Sequence, residues 1–213
     1  MQIFPRWTNR LPALLAAGVG LGGAGAVFVV WYYFSPWHTD VGYQPKQPVA
    51  YSHKLHAGDL GMDCRYCHAG VEQSYWAPVP ATQVCMNCHA QVKTDSPALE
   101  PVRKSWAEDR PIEWVRIHKV ADYAYFNHGA HVNAGVGCST CHGRVDQMVK
   151  VQQDQPLSMG WCLECHRNPT PHLRSPEDIT NMAWEPRPLE VAAADANLNQ
   201  NVNPPQHCSG CHR

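Results

Sequence analysis

The chain has little from which to build an ordinary apolar interior. Its 213 residues include only 4 Phe, and the apolar share of 44% stands beside 18 Pro and 15 Gly. Such a loop-rich composition cannot fill a large core from its own side chains. It also lacks a dominant charge: 17 Lys and Arg against 18 Asp and Glu leave a formal net charge of −1, so the composition gives no sign of nucleic-acid binding. No cysteine stands alone, because all ten fall in C-x-x-C pairs.

Histidine follows every pair. The five pentads are Cys64-Arg65-Tyr66-Cys67-His68, Cys85-Met86-Asn87-Cys88-His89, Cys138-Ser139-Thr140-Cys141-His142, Cys162-Leu163-Glu164-Cys165-His166 and Cys208-Ser209-Gly210-Cys211-His212. C-x-x-C-H is the attachment signature of haem c: two thiols add across the porphyrin vinyl groups, and the adjacent imidazole lies beneath the iron as its proximal ligand. Zinc ribbons and thioredoxin-like motifs also use C-x-x-C, but neither requires a histidine after each pair.

Five haem c groups are therefore expected, with the ten cysteines as attachment residues and His68, His89, His142, His166 and His212 as proximal ligands. The stretch from Cys64 to His212 has 149 residues, about thirty per haem, too few for separate domains. The haems must share walls. The expected fold is a multihaem cytochrome c of mostly short helices and loops wrapped around five haems, with one N-terminal transmembrane helix. Lys54, Arg65, Arg103, Arg144 and Arg167 are natural partners for haem propionates.

Residues 11–34 carry no charge over 24 positions, roughly 36 Å of helix and enough to cross a bilayer. A cleaved secretory signal ending near Ala24-Gly25-Ala26 is the competing reading. The apolar run continues from Val27 to Phe34, which favours an uncleaved anchor. Arg6 and Arg10 precede the span with no acid near them. By the positive-inside rule the N-terminus is cytoplasmic and the haem-bearing part lies on the periplasmic or extracytoplasmic side of the cytoplasmic membrane. Trp31, Tyr32, Tyr33 and Trp37 suit the outer interface and Trp7 the inner one. Gly18, Gly20, Gly22, Gly23 and Gly25 suit close packing against other membrane helices.

An internal duplication organises the rest. Tyr51-Ser52-His53-Lys54-Leu55-His56 matches Phe126-Asn127-His128-Gly129-Ala130-His131 at an offset of 75. Each is followed by a pentad, a second pentad after Pro80 or Pro156, and then Ser96-Pro97 or Ser175-Pro176. The division is a cytoplasmic N-terminus 1–10, an anchor 11–34, a Pro-containing linker 35–50, a two-haem module 51–97, a connector 98–124, a second two-haem module 125–176, and an extension 177–213 with the fifth pentad.

Within one helical turn, residues i and i+3 are about 5–6 Å apart, too close for both imidazoles to bind opposite faces of one haem. Each H-x-x-H pair should thus serve two irons, which makes His53, His56, His128 and His131 distal ligands. His118, in the apolar stretch before the second module, is the next choice. Met159 and Met148 compete with it, followed by His172 and Met182; a methionine ligand raises the potential. Which distal ligand faces which iron stays open, as do the first and last haems of the relay.

The two modules resemble the class III and c7-like multihaem cytochromes. The whole chain, including the run from Pro156 to His166, looks like the pentahaem cytochrome subunit of alternative complex III. That resemblance implies a non-enzymatic electron-transfer subunit of a quinol-oxidising respiratory or photosynthetic complex. Its partners would be integral-membrane quinol-binding subunits, an iron–sulfur subunit that feeds the haems, and a monohaem cytochrome c or an oxidase as acceptor. A NapC/NrfH-type quinol dehydrogenase is the alternative. Such proteins commonly carry a Met two residues after the first pentad's histidine, where this chain has Gly70. A catalytic multihaem reductase would need an open iron, and no C-x-x-C-K variant signals one.

Overall fold

The computed structural model describes residues 3–185 and 202–212. The chain divides into two compact units, Met1–Val41 and Gly42–Arg213. In the first, a 3-10 turn (Arg6–Arg10) leads into α1 (Leu11–Tyr33). Pro12 sits in the first turn of α1, where its missing N–H costs nothing. Five glycines would weaken such a helix in water. In hydrocarbon, by contrast, helical hydrogen bonding is what satisfies the backbone of a single span. Arg6–Tyr33 is long and apolar enough to cross a membrane. Just beyond it, the His38 ring in α2 (Pro36–Thr39) packs on Tyr33 at 5.1 Å and Tyr32 at 5.5 Å.

The second unit is made of short helices and loops, with no strand among the described residues and two isolated bridges, Ala124 to His212 and Val136 to Leu173. Each pentad forms or ends a helix: α3 (Cys64–Cys67), α4 (Thr82–His89), α7 (Cys138–His142), α8 (Met159–Arg167) and α9 (Cys208–Cys211). A helical turn places the i and i+3 cysteines on one face. Side-chain caps start two of these helices: Asp63 accepts from the Arg65 N–H and Ser158 from the Trp161 N–H, satisfying donors otherwise orphaned at a helix start. Between the second and third pentads lies α5 (Glu100–Ala107), which buries Val102.

The buried apolar side chains are few: Val49, Val102, Pro156, Leu173, Ile179 and Met182. The shortage evident in the composition is thus also present among the described residues of the fold. The duplicated segments adopt related but unequal turns. The second H-x-x-H opens α6 (His128–Asn133), capped by Asn127, whereas the first runs into a wider π turn (Lys54–Asp59). The modules dock through backbone, with the Gly129 N–H donating to Ser74 O at 3.0 Å and the His128 N–H to Tyr75 O at 3.2 Å. A side chain at Gly129 would meet Glu72 O at 2.8 Å, so glycine permits this approach.

Candidate functional site

The histidine rings carry the geometry. His53 lies 6.4 Å from His68, His56 lies 6.2 Å from His89, His128 lies 6.3 Å from His142, and His131 lies 6.1 Å from His166, centroid to centroid. Two metal–nitrogen bonds of about 2 Å, together with the half-widths of two imidazoles, put ring centres roughly 6.3 Å apart. Each of these pairs could hold one iron between its rings. The interplanar angles run from 6° to 68°. That spread would not prevent both rings of a pair from holding one metal, because a ring bound through one nitrogen could rotate about that bond.

Hydrogen bonding supports the same use of the rings. Nδ1 faces a backbone carbonyl in His68 (Pro78 O, 3.0 Å), His89 (Val92 O, 3.1 Å), His166 (Pro205 O, 2.7 Å) and His212 (Tyr123 O, 3.0 Å). His56 and His131 do the same within their own turns, to Ser52 O at 2.9 Å and Asn127 O at 2.7 Å. A proton held on Nδ1 leaves the Nε2 lone pair for a metal. Burial pushes His53 and His118 down to about 4 and His142 to about 3, and lowers His128 and His131. These rings are neutral at pH 7, the form in which imidazole ligates.

Among the described residues, no three His, Cys, Asp or Glu side chains converge on a metal. The donor arrangement thus fits planar groups sandwiched between ring pairs better than tetrahedral zinc. The residues present fit haem c. The cysteine thiols supply attachment points, and burial raises Cys67, Cys85, Cys162 and Cys165, with Cys141 pushed up to about 12.

His118 packs edge to face on His142 at 4.3 Å, closer than two ligands of one iron stand. Its Nε2 is buried without a hydrogen-bond partner, as is His53 Nδ1. His212 contacts the Tyr123 ring at 5.7 Å. Met159 opens α8 with 67% exposure. Met148 is half-buried, and its carbonyl accepts from the Lys54 N–H at 3.0 Å. His172 and the buried Met182 line a cavity of about 470 Å³ beside the third and fourth pentads.

Sequence reasoning missed two features. One is the aromatic residue ahead of each H-x-x-H: Tyr51 packs on His56 and Phe126 on His131, both at 4.4 Å, and each meets its nearer histidine edge-on, Tyr51 on His53 at 4.8 Å and Phe126 on His128 at 4.9 Å. Their equivalent positions in the repeat were the available signal. The other is Arg174, 3% exposed and lining the same cavity. It donates to Ser139 Oγ at 3.2 Å, Thr140 Oγ1 at 3.0 Å and Asn181 O at 3.0 Å, and stacks on Trp184 at 4.1 Å. Arg174 has no ion-pair partner among the described residues. Four of the five basic residues favoured from sequence are otherwise engaged: Lys54 with Asp59, Arg65 with Asp63, Arg144 with Asp146, and Arg103 with Thr94 O and Ser96 O.

Comparison with known proteins agrees with this geometry. Residues 36–122 match the class III cytochrome C family, and residues 124–213 match cytochrome c7 and related cytochrome c. The chain is 32% identical over 100 residues to the "Menaquinone reductase, multiheme cytochrome c subunit" of Nitratidesulfovibrio vulgaris (strain Hildenborough). That match covers 46% of this chain and 47% of the relative, about half of each. With both of its halves beyond residue 35 matched by such families, the chain is a multihaem cytochrome c of the class III and c7 type.

Proposed function

We propose that this chain is the membrane-anchored pentahaem subunit of a quinol-oxidising complex of the alternative complex III kind. It would relay electrons from iron–sulfur clusters to a cytochrome c or an oxidase. The observation that carries the reading is the set of four histidine pairs at 6.1–6.4 Å, which could hold four irons with an imidazole on each side and would then leave those irons no position for a substrate. Haem iron supplies one-electron exchange between ferrous and ferric states. The chain's own part is to hold imidazoles on both faces, fix their tautomers through backbone carbonyls, and surround the groups with low-dielectric walls. Turnover belongs to partners: integral-membrane quinol-binding subunits and an iron–sulfur subunit, reached through α1 as a single-pass anchor with its N-terminus in the cytoplasm.

The assignments extend residue by residue. The ten cysteines attach five haems; His68, His89, His142, His166 and His212 are proximal; His53, His56, His128 and His131 are their counterparts on the first four irons. His118, Met159 or Met148 remain the candidates for the fifth. A pyridine haemochrome assay should return five haem c per polypeptide, and a value well below five overturns the count.

A second reading reverses the direction, with electrons passing through the chain toward a quinone. The name of the Nitratidesulfovibrio relative favours it. Mild detergent extraction followed by mass spectrometry and quinol assays separates the cases. Co-purified polytopic subunits and an iron–sulfur protein with quinol oxidation support the first reading, and net menaquinone reduction by the same assembly supports the second. An isolated chain that itself oxidises menaquinol indicates a NapC/NrfH-type dehydrogenase instead.

A further inference from the structure

Contacts between pentads form a line whose order differs from the order in the sequence. Asn87 Nδ2, inside the second pentad, donates to Tyr66 Oη inside the first at 3.2 Å. The first and third pentads meet across residues 179–180: Thr180 Oγ1 donates to Asp63 Oδ2 at 3.0 Å, and the Cys138 N–H donates to Ile179 O at 3.0 Å. Ser139 and Thr140 of the third pentad line one cavity with Glu164 and Cys165 of the fourth. The fourth pentad is tied to the approach to the fifth by His166 Nδ1 to Pro205 O at 2.7 Å and by Gln206 Nε2 to His166 O at 3.3 Å.

The H-x-x-H turns impose the same neighbours. His53 and His56 place the first and second ring pairs side by side, and His128 and His131 do so for the third and fourth. The modules dock on the first-pentad side, through Ser74 and Tyr75 to Gly129 and His128 and through Glu72 O to Asn133 Nδ2 at 2.8 Å. The turn that carries His56 also touches the second module, through Lys54 N–H to Met148 O at 3.0 Å, but none of these docking hydrogen bonds comes from residues 85–89 of the second pentad. Cys88 and Cys208 are the exposed members of the ten cysteines, and the other eight are half-buried. One belongs to the second pentad and the other to the fifth.

Electron tunnelling falls off exponentially with distance, so nearest neighbours set the route. Building on the pentahaem reading, we infer that electrons cross the haems in the spatial order second, first, third, fourth, fifth pentad, with the second and fifth as the two ends that meet donor and acceptor. The first pentad in sequence is then an interior station, and the junction between modules runs from the first to the third.

The test uses the wild-type holoprotein in detergent, fully reduced so that its low-spin irons are diamagnetic. Each haem is assigned through NMR contacts between its thioether bridges and the cysteines of its own pentad, and haem-to-haem nuclear Overhauser effects then read adjacency. The expected contacts join first with second, first with third, third with fourth, and fourth with fifth. A contact of the second haem with the third or fourth, or of the fifth with the first, overturns the order. A haemochrome count on the same sample separates the two failures: fewer than five haems defeats the pentahaem reading itself, whereas five haems with another adjacency defeats the route alone.

Discussion

The imidazole of His128 stands 6.3 Å from that of His142 with their planes within 19°, while His131, three residues on, stands 6.1 Å from His166. One turn of α6 thus addresses two pentads. Replacing His128 by Ala should convert the third iron to a high-spin, five-coordinate state and leave the fourth low-spin. His131→Ala should do the opposite. Electron paramagnetic resonance on both variants checks this, and a low-spin spectrum unchanged by either substitution contradicts the pairing.

Arg174 is a buried cation whose fork is spent on Ser139, Thr140 and two backbone carbonyls. Its positive charge beside the third pentad disfavours the oxidised, more positive state of a haem there. Arg174→Gln should lower the midpoint potential of one haem, and Arg174→Lys should keep most of the potential while weakening the fold through lost hydrogen bonds of about 1 kcal/mol each. Redox titration with thermal unfolding separates charge from packing. Equal potentials in wild type and the Gln variant would remove the electrostatic role.

Gly129 lies where module meets module, and an added methyl meets Glu72 O at 2.8 Å. Neither side of that contact is a flexible side-chain end, so Gly129→Ala should destabilise the haem-bearing unit by about 1–3 kcal/mol. Denaturant unfolding followed at the haem absorbance is the measurement. Gly61→Ala, where nothing lies within 4 Å, provides a control limited to the strain of its positive φ of 66°.

Asp63 caps α3, accepts from the Arg65 guanidinium and backbone N–H, and takes the Thr180 hydroxyl. Those hydrogen bonds, Arg65 first, hold its carboxyl down at about 2 from a usual 3.8. A depressed folded value means the stabilisation is fully present above about pH 4 and is lost as the pH falls through about 2. Asp63→Asn should flatten the acid limb of the stability profile while keeping the cap, because the asparagine Oδ1 accepts the same backbone N–H. Parallel acid-unfolding curves for wild type and variant would argue against the contribution.

Much was legible in the sequence because the chemistry is local. The proposed attachment cysteines and proximal histidine lie within five consecutive residues, so spacing alone singles them out. The apolar run at residues 11–34 is likewise a property of one stretch. The repeat was visible as matching text at an offset of 75. It nevertheless concealed a difference in local conformation, since the first H-x-x-H leads into a π turn and the second opens an α-helix.

What the sequence determined by itself is therefore the inventory: five pentads, two H-x-x-H pairs, an apolar helix, and a chain too poor in apolar residues to fold around its own side chains. Tertiary structure decided who faces whom. His56 meets His89 and Arg174 meets Ser139 across more than thirty residues of chain, and no local spacing encodes such encounters. Arg174 is the clearest case, because its tripeptide Leu173-Arg174-Ser175 gives no sign of burial. Only the docking of residues 173–182 against α7 withdraws its charge from water and supplies the carbonyls and hydroxyls that make that burial tolerable.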